Sequence, residues 1–196
     1  MEIQAALIIV DVQNDFCPGG ALAVAEGDQV VLTLNGYIEK FSAAALPIVA
    51  TRDWHPQITS HFKAHGGQWP VHCVQGTFGA EFHPALRLGS GAVIVSKGMA
   101  PDSDSYSGFD AVDAHGARLA DLLHDRGTTH IYVGGLATDF CVKQTVLDGL
   151  QQGFAVTVLQ DSIRGVDLAP GDSARALEQM VAAGADVVDS VGHLVF

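Results

Sequence analysis

The 196-residue sequence predicts an α/β fold: a single domain over 1–196, built on a mostly parallel six-stranded sheet with helices on both faces. Three observations predict it. Six short apolar runs alternate with longer segments of helical spacing. The runs are apolar throughout rather than at every second residue, as in strands covered on both sides. Glycines stand where the helical segments should stop.

The first strand is "AALIIV" (5–10), closed by Asp11. "DQVVLTLNGYIEKFSAA" (28–44) reads as a helix, and "PIVAT" (47–51) as the next strand. From Asp53 to about Gly91 the chain is rich in His, Gly, Pro and Trp and has little periodicity. An irregular stretch of that length in a compact domain points to function, here a metal-binding and lid loop of about 53–91. "AVIVS" (92–96) resumes the sheet. Leu119, Leu122 and Leu123 then make a helical stripe that ends at Gly127. "THIYVGG" (129–135) leads into "DFCVKQTVLDGLQQG", whose Val142, Val146 and Leu150 share one face. "AVTVLQ" (155–160), "SARALEQMVAAG" and "ADVVD" (185–189) complete the alternation.

Charge narrows the partners. The formal net charge is −12, so nucleic acid is not expected as a partner, nor is an anionic membrane surface. "MEIQAALIIVDVQ" has no basic flank, and its apolar run ends after six residues, so no targeting segment or span is expected. Cys17, Cys73 and Cys141 have no metal-knuckle or CxxC spacing, which fits free thiols in a cytoplasmic protein. Nothing in the sequence chooses between a monomer and a homo-oligomer.

Open α/β sheets bind ligands at the carboxyl ends of their strands. Asp11, Asp53, Lys97 and the cysteine loop each follow a strand, so an acid, a second acid, a lysine and a thiol should gather along one edge. Cys141 falls in the first turn of its helix, with Thr138 or Asp139 as cap, where the helix N-terminus and a nearby ammonium favour a thiolate. Asp11 could take and return the thiol proton, with Lys97 balancing charge. Cys17 and Cys73 lack such a setting and read as structural. In the long loop, Asp53 and His55 are two residues apart and should point the same way, with His61 and His72 following. One carboxylate plus two or three imidazoles suits one divalent ion: zinc, ferrous iron or manganese. His65 and His83 should be solvated, and His115, His124, His130 and His193 should lie at the surface or at helix ends.

The stretches "ALIIVDVQNDFCPGGALAV", "TRDWHP", "WPVHCVQGTFGAEFHP", "SKG", "YSGF" and "GLATDFCVKQT" resemble the nicotinamidase branch of the isochorismatase-like cysteine hydrolases, nearly end to end. The resemblance implies a catalytic triad of Cys141, Asp11 and Lys97. It also implies a metal held by Asp53, His55 and His72, with His61 as a fourth ligand that the family varies. Phe16, Trp69 and Tyr106 would wall an aromatic pocket, and the backbone N–H groups of Ala137 and Cys141 would form the oxyanion hole beside a cis Leu136–Ala137 peptide. The expected activity is hydrolysis of nicotinamide to nicotinate and ammonia through a Cys thioester, a step of NAD salvage, with pyrazinamide as an analogue. The alternatives are another amidase or carbamoyl hydrolase of the same superfamily, a metallohydrolase in which Cys141 only packs, and a silent binding protein.

Overall fold

A computed structural model describes residues 4–102 and 104–194; the ends of the expected 1–196 domain and residue 103 lie outside them. Six strands run in chain order as β1 (Ala5–Val10), β2 (Ile48–Asp53), β3 (Val93–Lys97), β4 (His130–Leu136), β5 (Ala155–Arg164) and β6 (Asp186–Val188). They form one sheet in the order β3-β2-β1-β4-β5-β6. Every pairing is parallel, so the described sheet is wholly parallel rather than mostly so. The order reverses between β1 and β4, and the carboxyl ends of strands at such a reversal open a crevice.

The apolar runs form strands because both of their faces are covered. All six residues of β1 are buried, and they divide by parity. Leu7 and Ile9 pack with α1 (Val30–Ala43) through Leu34, Tyr37 and Phe41. Ala6, Ile8 and Val10 belong to the opposite core, with Leu119 and Leu123 of α2 (Leu119–His124), Val142 just before α3 (Lys143–Gln151), Val146 within it and Met180 of α4 (Asp172–Ala182). One helix therefore lies on one face and three on the other. Removing a side chain such as Ile8 from either layer should cost about 2–5 kcal/mol.

Gly127, Gly153 and Gly184 end their helical segments with positive φ, as the sequence predicts. Gly135 has a different task. Its φ is 126°, and a Cβ there would stand 2.1 Å from the Val10 carbonyl oxygen, so only glycine lets β4 close against β1 next to the crevice. β5 runs on past the expected residue 160 to Arg164, which puts Asp161 inside the strand, where it accepts a hydrogen bond from Tyr37. Asp161 is a packing residue despite its place in the sequence pattern.

Candidate active site

The sheet order makes neighbours of the four strand ends that carry reactive groups. Lys97 ends β3 and is the register partner of Asp53, which ends β2. Asp11 follows β1 with φ 49°, a left-handed conformation that aspartate tolerates better than most residues. Its carboxylate accepts a hydrogen bond from Thr51 at 2.6 Å. Cys141 arrives from the turn after β4.

That turn departs from the expected cap. It begins on Ala137 rather than Thr138 or Asp139, and winds as a wide π-type turn over Thr138–Val142 before α3. The amides of Phe140 and Val142 both donate to the Ala137 carbonyl, each at 3.1 Å, and no side chain caps the turn. Asp139 is buried and turned away, accepting from the amides of Val166 and Asp167 at 2.9 and 2.8 Å. Single π turns recur at functional sites, where they re-aim a side chain. Thr145 secures this one by donating to the Cys141 carbonyl at 2.7 Å while accepting from Gly108 at 2.8 Å. The Leu136–Ala137 peptide is cis, as the resemblance implies.

Lys97 is the hub of the charged cluster. It is 1% exposed, its ammonium 2.8 Å from Asp11 Oδ2, in contact with Asp53 Oδ1 and 3.5 Å from Cys141 Sγ. Asp11, Asp53 and Cys141 present their donor atoms within 4.8 Å of one another, a spacing a metal could exploit, but the Lys97 ammonium already supplies the cation there. Burial alone would lower Lys97; the carboxylates of Asp11 and Asp53 outweigh it and hold the ammonium well above its ordinary range. Burial pushes the Asp11 carboxyl up against the pull of Lys97. Burial also lifts Cys141 well above the ordinary thiol range, Lys97 opposing and Asp11 and Asp53 adding to the rise. Desolvation therefore works against the thiolate that the helix N-terminus favours, with the Lys97 ammonium pulling the other way.

Asp53 faces two ways. Oδ1 meets Lys97, while Oδ2 lies 3.6 Å from His55 Nε2 and 3.9 Å from His72 Nε2. Burial raises this carboxyl, but Lys97 and His55 overcome it and hold Asp53 below the usual carboxylate range. His55, His61 and His72 are all buried and bring one ring nitrogen each within 4.8 Å of the others. His55 Nδ1 donates to the Gly98 carbonyl at 2.9 Å and His72 Nδ1 to the Pro70 carbonyl at 2.8 Å. A carbonyl can only accept, so both rings carry a proton on Nδ1 and turn Nε2 toward Asp53. His55 Nε2 is buried with no hydrogen-bond partner. Burial holds His72 down to about 4 and lowers His61 as well, so both rings are neutral. Three buried imidazoles, the Asp53 carboxylate and an orphaned buried nitrogen fit a divalent cation. Gly98, at φ 64°, is needed here too, because a Cβ would stand 2.4 Å from the His55 ring.

A narrow cleft runs between Cys141 and the ligand-like residues Asp53, His61 and His72. Phe16, Trp69 and Tyr106 line it as expected, with Ala137, Cys141, Asp53, His61 and His72. Trp69 donates its indole N–H to the Tyr106 hydroxyl at 3.0 Å and meets Phe140 edge-on at 5.0 Å. Trp54, the loop's other tryptophan, is outside the cleft, under the Arg52 guanidinium at 3.7 Å. Of the expected bystanders, His65, His115, His124 and His193 are exposed and His83 and His130 half-buried, while Cys17 and Cys73 are buried free thiols.

Sequence reasoning missed several supports. Leu22, Ser105 and Val166 complete the cleft wall. Gln13, fully buried, brackets the Asp53 backbone, accepting from its amide and donating to its carbonyl, both at 2.8 Å. Asp104 accepts from His61 Nδ1 at 2.5 Å. Gln13 could have been suspected as a polar residue two places after Asp11; for Asp104 and Val166 the linear pattern holds no signal.

Residues 5–191 match the family model for the isochorismatase domain. A nicotinamidase from Escherichia coli (strain K12) is 45% identical over 196 aligned residues, covering 92% of each chain. The structure of a pyrazinamidase from Pyrococcus horikoshii in complex with zinc superposes with a TM-score of 0.88 at 47% identity, covering 94% of this chain and 98% of that one. PnC1 from L. infantum, solved in complex with nicotinate, superposes with a TM-score of 0.86 at 35% identity, covering 100% of this chain and 96% of that one. Matched over residues 5–191 and built on a wholly parallel sheet whose strand ends bring a thiol, an acid and a lysine together, the chain belongs to the isochorismatase domain family.

Proposed function

We propose that this chain is a nicotinamidase, a metal-dependent cysteine amidohydrolase that converts nicotinamide to nicotinate and ammonia and acts on pyrazinamide as well. The observation that carries the reading is an aromatic-walled cleft lined by Cys141 on one side and by Asp53, His61 and His72 on the other, with Asp11 and Lys97 buried behind the thiol. Its similarity to nicotinamidases and pyrazinamidases over nearly the whole chain supports the same substrate class.

Cys141 is the nucleophile. Its thiol proton passes to Asp11 as sulfur adds to the amide carbonyl carbon. The negative charge that develops on the carbonyl oxygen is received by the backbone N–H groups of Ala137 and Cys141. Asp11 then gives its proton to the amide nitrogen, the C–N bond breaks, ammonia leaves and the acyl group remains as a thioester on Cys141. Asp11 next takes a proton from water, whose oxygen adds to the thioester carbon, and the sulfur leaves with that proton; the carboxylic acid so formed gives up the second water proton to the released ammonia, leaving nicotinate and ammonium. Lys97 keeps the cluster's charge balanced throughout, and Phe16, Trp69 and Tyr106 hold the planar ring and exclude water. Asp53, His55, His61 and His72 would hold the divalent ion, which supplies a Lewis-acidic point for the lone pair of the ring nitrogen and so orients the amide toward sulfur.

Ammonia release from nicotinamide, compared between the native enzyme and Cys141→Ala at equal metal loading, tests the proposal. The native enzyme should turn over, and the variant should lose activity on the order of 10⁴-fold or more while keeping its metal. Equal release by both would transfer the attack to water and leave Cys141 a packing residue. No release by the native, metal-loaded enzyme would remove nicotinamide as substrate.

A further inference from the structure

The three imidazoles of the histidine cluster are held by three different acceptors, and only one of those acceptors is a side chain. His55 and His72 donate through Nδ1 to backbone carbonyls, of Gly98 and Pro70. His61 donates to the Asp104 carboxylate at 2.5 Å. The ring of His61 is 4% exposed, whereas the Asp104 side chain is 59% exposed, so a surface residue reaches in to fix a buried one. The segment that carries Asp104 begins immediately after Lys97 and ends at the cleft residues Ser105 and Tyr106. It runs beside the metal loop and is tied to it at three points: Gly98 to His55, the Pro101 carbonyl to the Ser60 amide at 2.8 Å, and Asp104 to His61.

We propose that Asp104 is the positioning residue for His61: it holds the proton on Nδ1, aims Nε2 into the cluster and so makes His61 a ligand of the bound cation. A carboxylate partner also makes the imidazole more basic than a carbonyl partner does, so His61 donates more strongly to a metal than its geometry alone provides. The inference rests on the reading of His55, His61 and His72 as a metal site. The His61 backbone is anchored, its amide donating to Thr59 Oγ1 and its carbonyl accepting from the Trp69 amide, both at 3.3 Å, so what sets His61 apart is its ring. The rings of His55 and His72 are held by main-chain carbonyls, whereas the ring of His61 is held by the Asp104 side chain.

The test is a zinc titration against a chromophoric chelator, with the visible spectrum of the cobalt(II)-substituted protein as a second readout. It uses the native protein, Asp104→Ala, Asp104→Asn, His61→Ala and the Asp104→Ala/His61→Ala double variant. Asp104 is at the surface, so its substitution leaves the folded core untouched. Asp104→Ala should weaken zinc binding by about 10- to 100-fold and shift the cobalt spectrum toward that of His61→Ala. Asp104→Asn, whose amide oxygen still accepts from Nδ1, should recover much of the affinity. In the His61→Ala background the Asp104 substitution should change nothing further. Native affinity and spectrum in Asp104→Ala, or an undiminished effect of that substitution without His61, would overturn the positioning role while leaving the metal site standing. Failure of the native protein to bind zinc or cobalt would instead remove the metal site itself, and Asp104's role with it.

Discussion

The two halves of the active cleft are built by opposite means. Asp11, Asp53 and Lys97 stand at strand ends, and their separation is set by sheet register: Lys97 is opposite Asp53, and β1 lies next to β2. His55, His61 and His72 are carried by a long loop with little regular structure, and each is aimed by its own local acceptor. The sheet-borne half stores charge, with an ammonium between two carboxylates; the loop-borne half gathers three buried imidazoles. Asp53 belongs to both, one oxygen to each. On the proposed mechanism, the difference places the proton-transfer and charge-balancing groups where the scaffold is stiffest and the metal-holding groups where loops can be remodelled for a different substrate.

The sharpest way to break this contrast is Lys97→Met. It leaves two buried carboxylates without their cation, so the protein should lose about 3–5 kcal/mol of stability in urea unfolding. Stability unchanged would mean that the charged half is not held together by its ion pairs. A smaller effect belongs to the loop-borne half. In metal-stripped protein His72 is held at about 4, against an ordinary 6.5. Above pH 6.5 neither the folded nor the unfolded chain protonates this ring, and its neutral burial costs nothing. As pH falls from 6.5 toward 4 the unfolded chain binds the proton and the folded one does not, so stability drops, by on the order of 3 kcal/mol. His72→Gln should flatten that part of the pH–stability curve, and added zinc should move the drop to lower pH. An equally steep drop in the variant would show that other groups carry the acid sensitivity.

The same contrast explains what could be read from the sequence. The strands were legible because burial on both faces leaves continuous apolar runs, and the residue after each run could be assigned to one edge of the sheet. Asp11, Asp53 and Lys97 followed from that alone. Cys141 was legible as a residue opening a helix, but its turn was not. The π-type winding from Ala137 is set by packing of Asp139 against the amides of Val166 and Asp167, which are remote in sequence. The upward push of burial on its thiol was hidden for a related reason: the helix end is visible in the sequence and the depth of burial is not. In the loop, the D-x-H spacing revealed donors of the right chemical kind. Which acceptor fixes each ring could not be seen, because Gly98 and Asp104 act across a gap of 43 residues. The pocket aromatics Phe16, Trp69 and Tyr106 came from family resemblance; spacing alone would have left them in the core.

Within the described residues no helix is long and apolar enough to cross a membrane. The measurement that tests the central claim most directly is rapid acid quenching of the metal-loaded enzyme during turnover of nicotinamide, followed by intact-protein mass and peptide mapping. The account predicts a transient adduct of one nicotinoyl group confined to the peptide containing Cys141, with Cys17 and Cys73 unmodified. Steady ammonia release with no acyl adduct at any quench time, under conditions that preserve thioesters, would contradict it, because the bond-making would then lie outside the sheet-borne half.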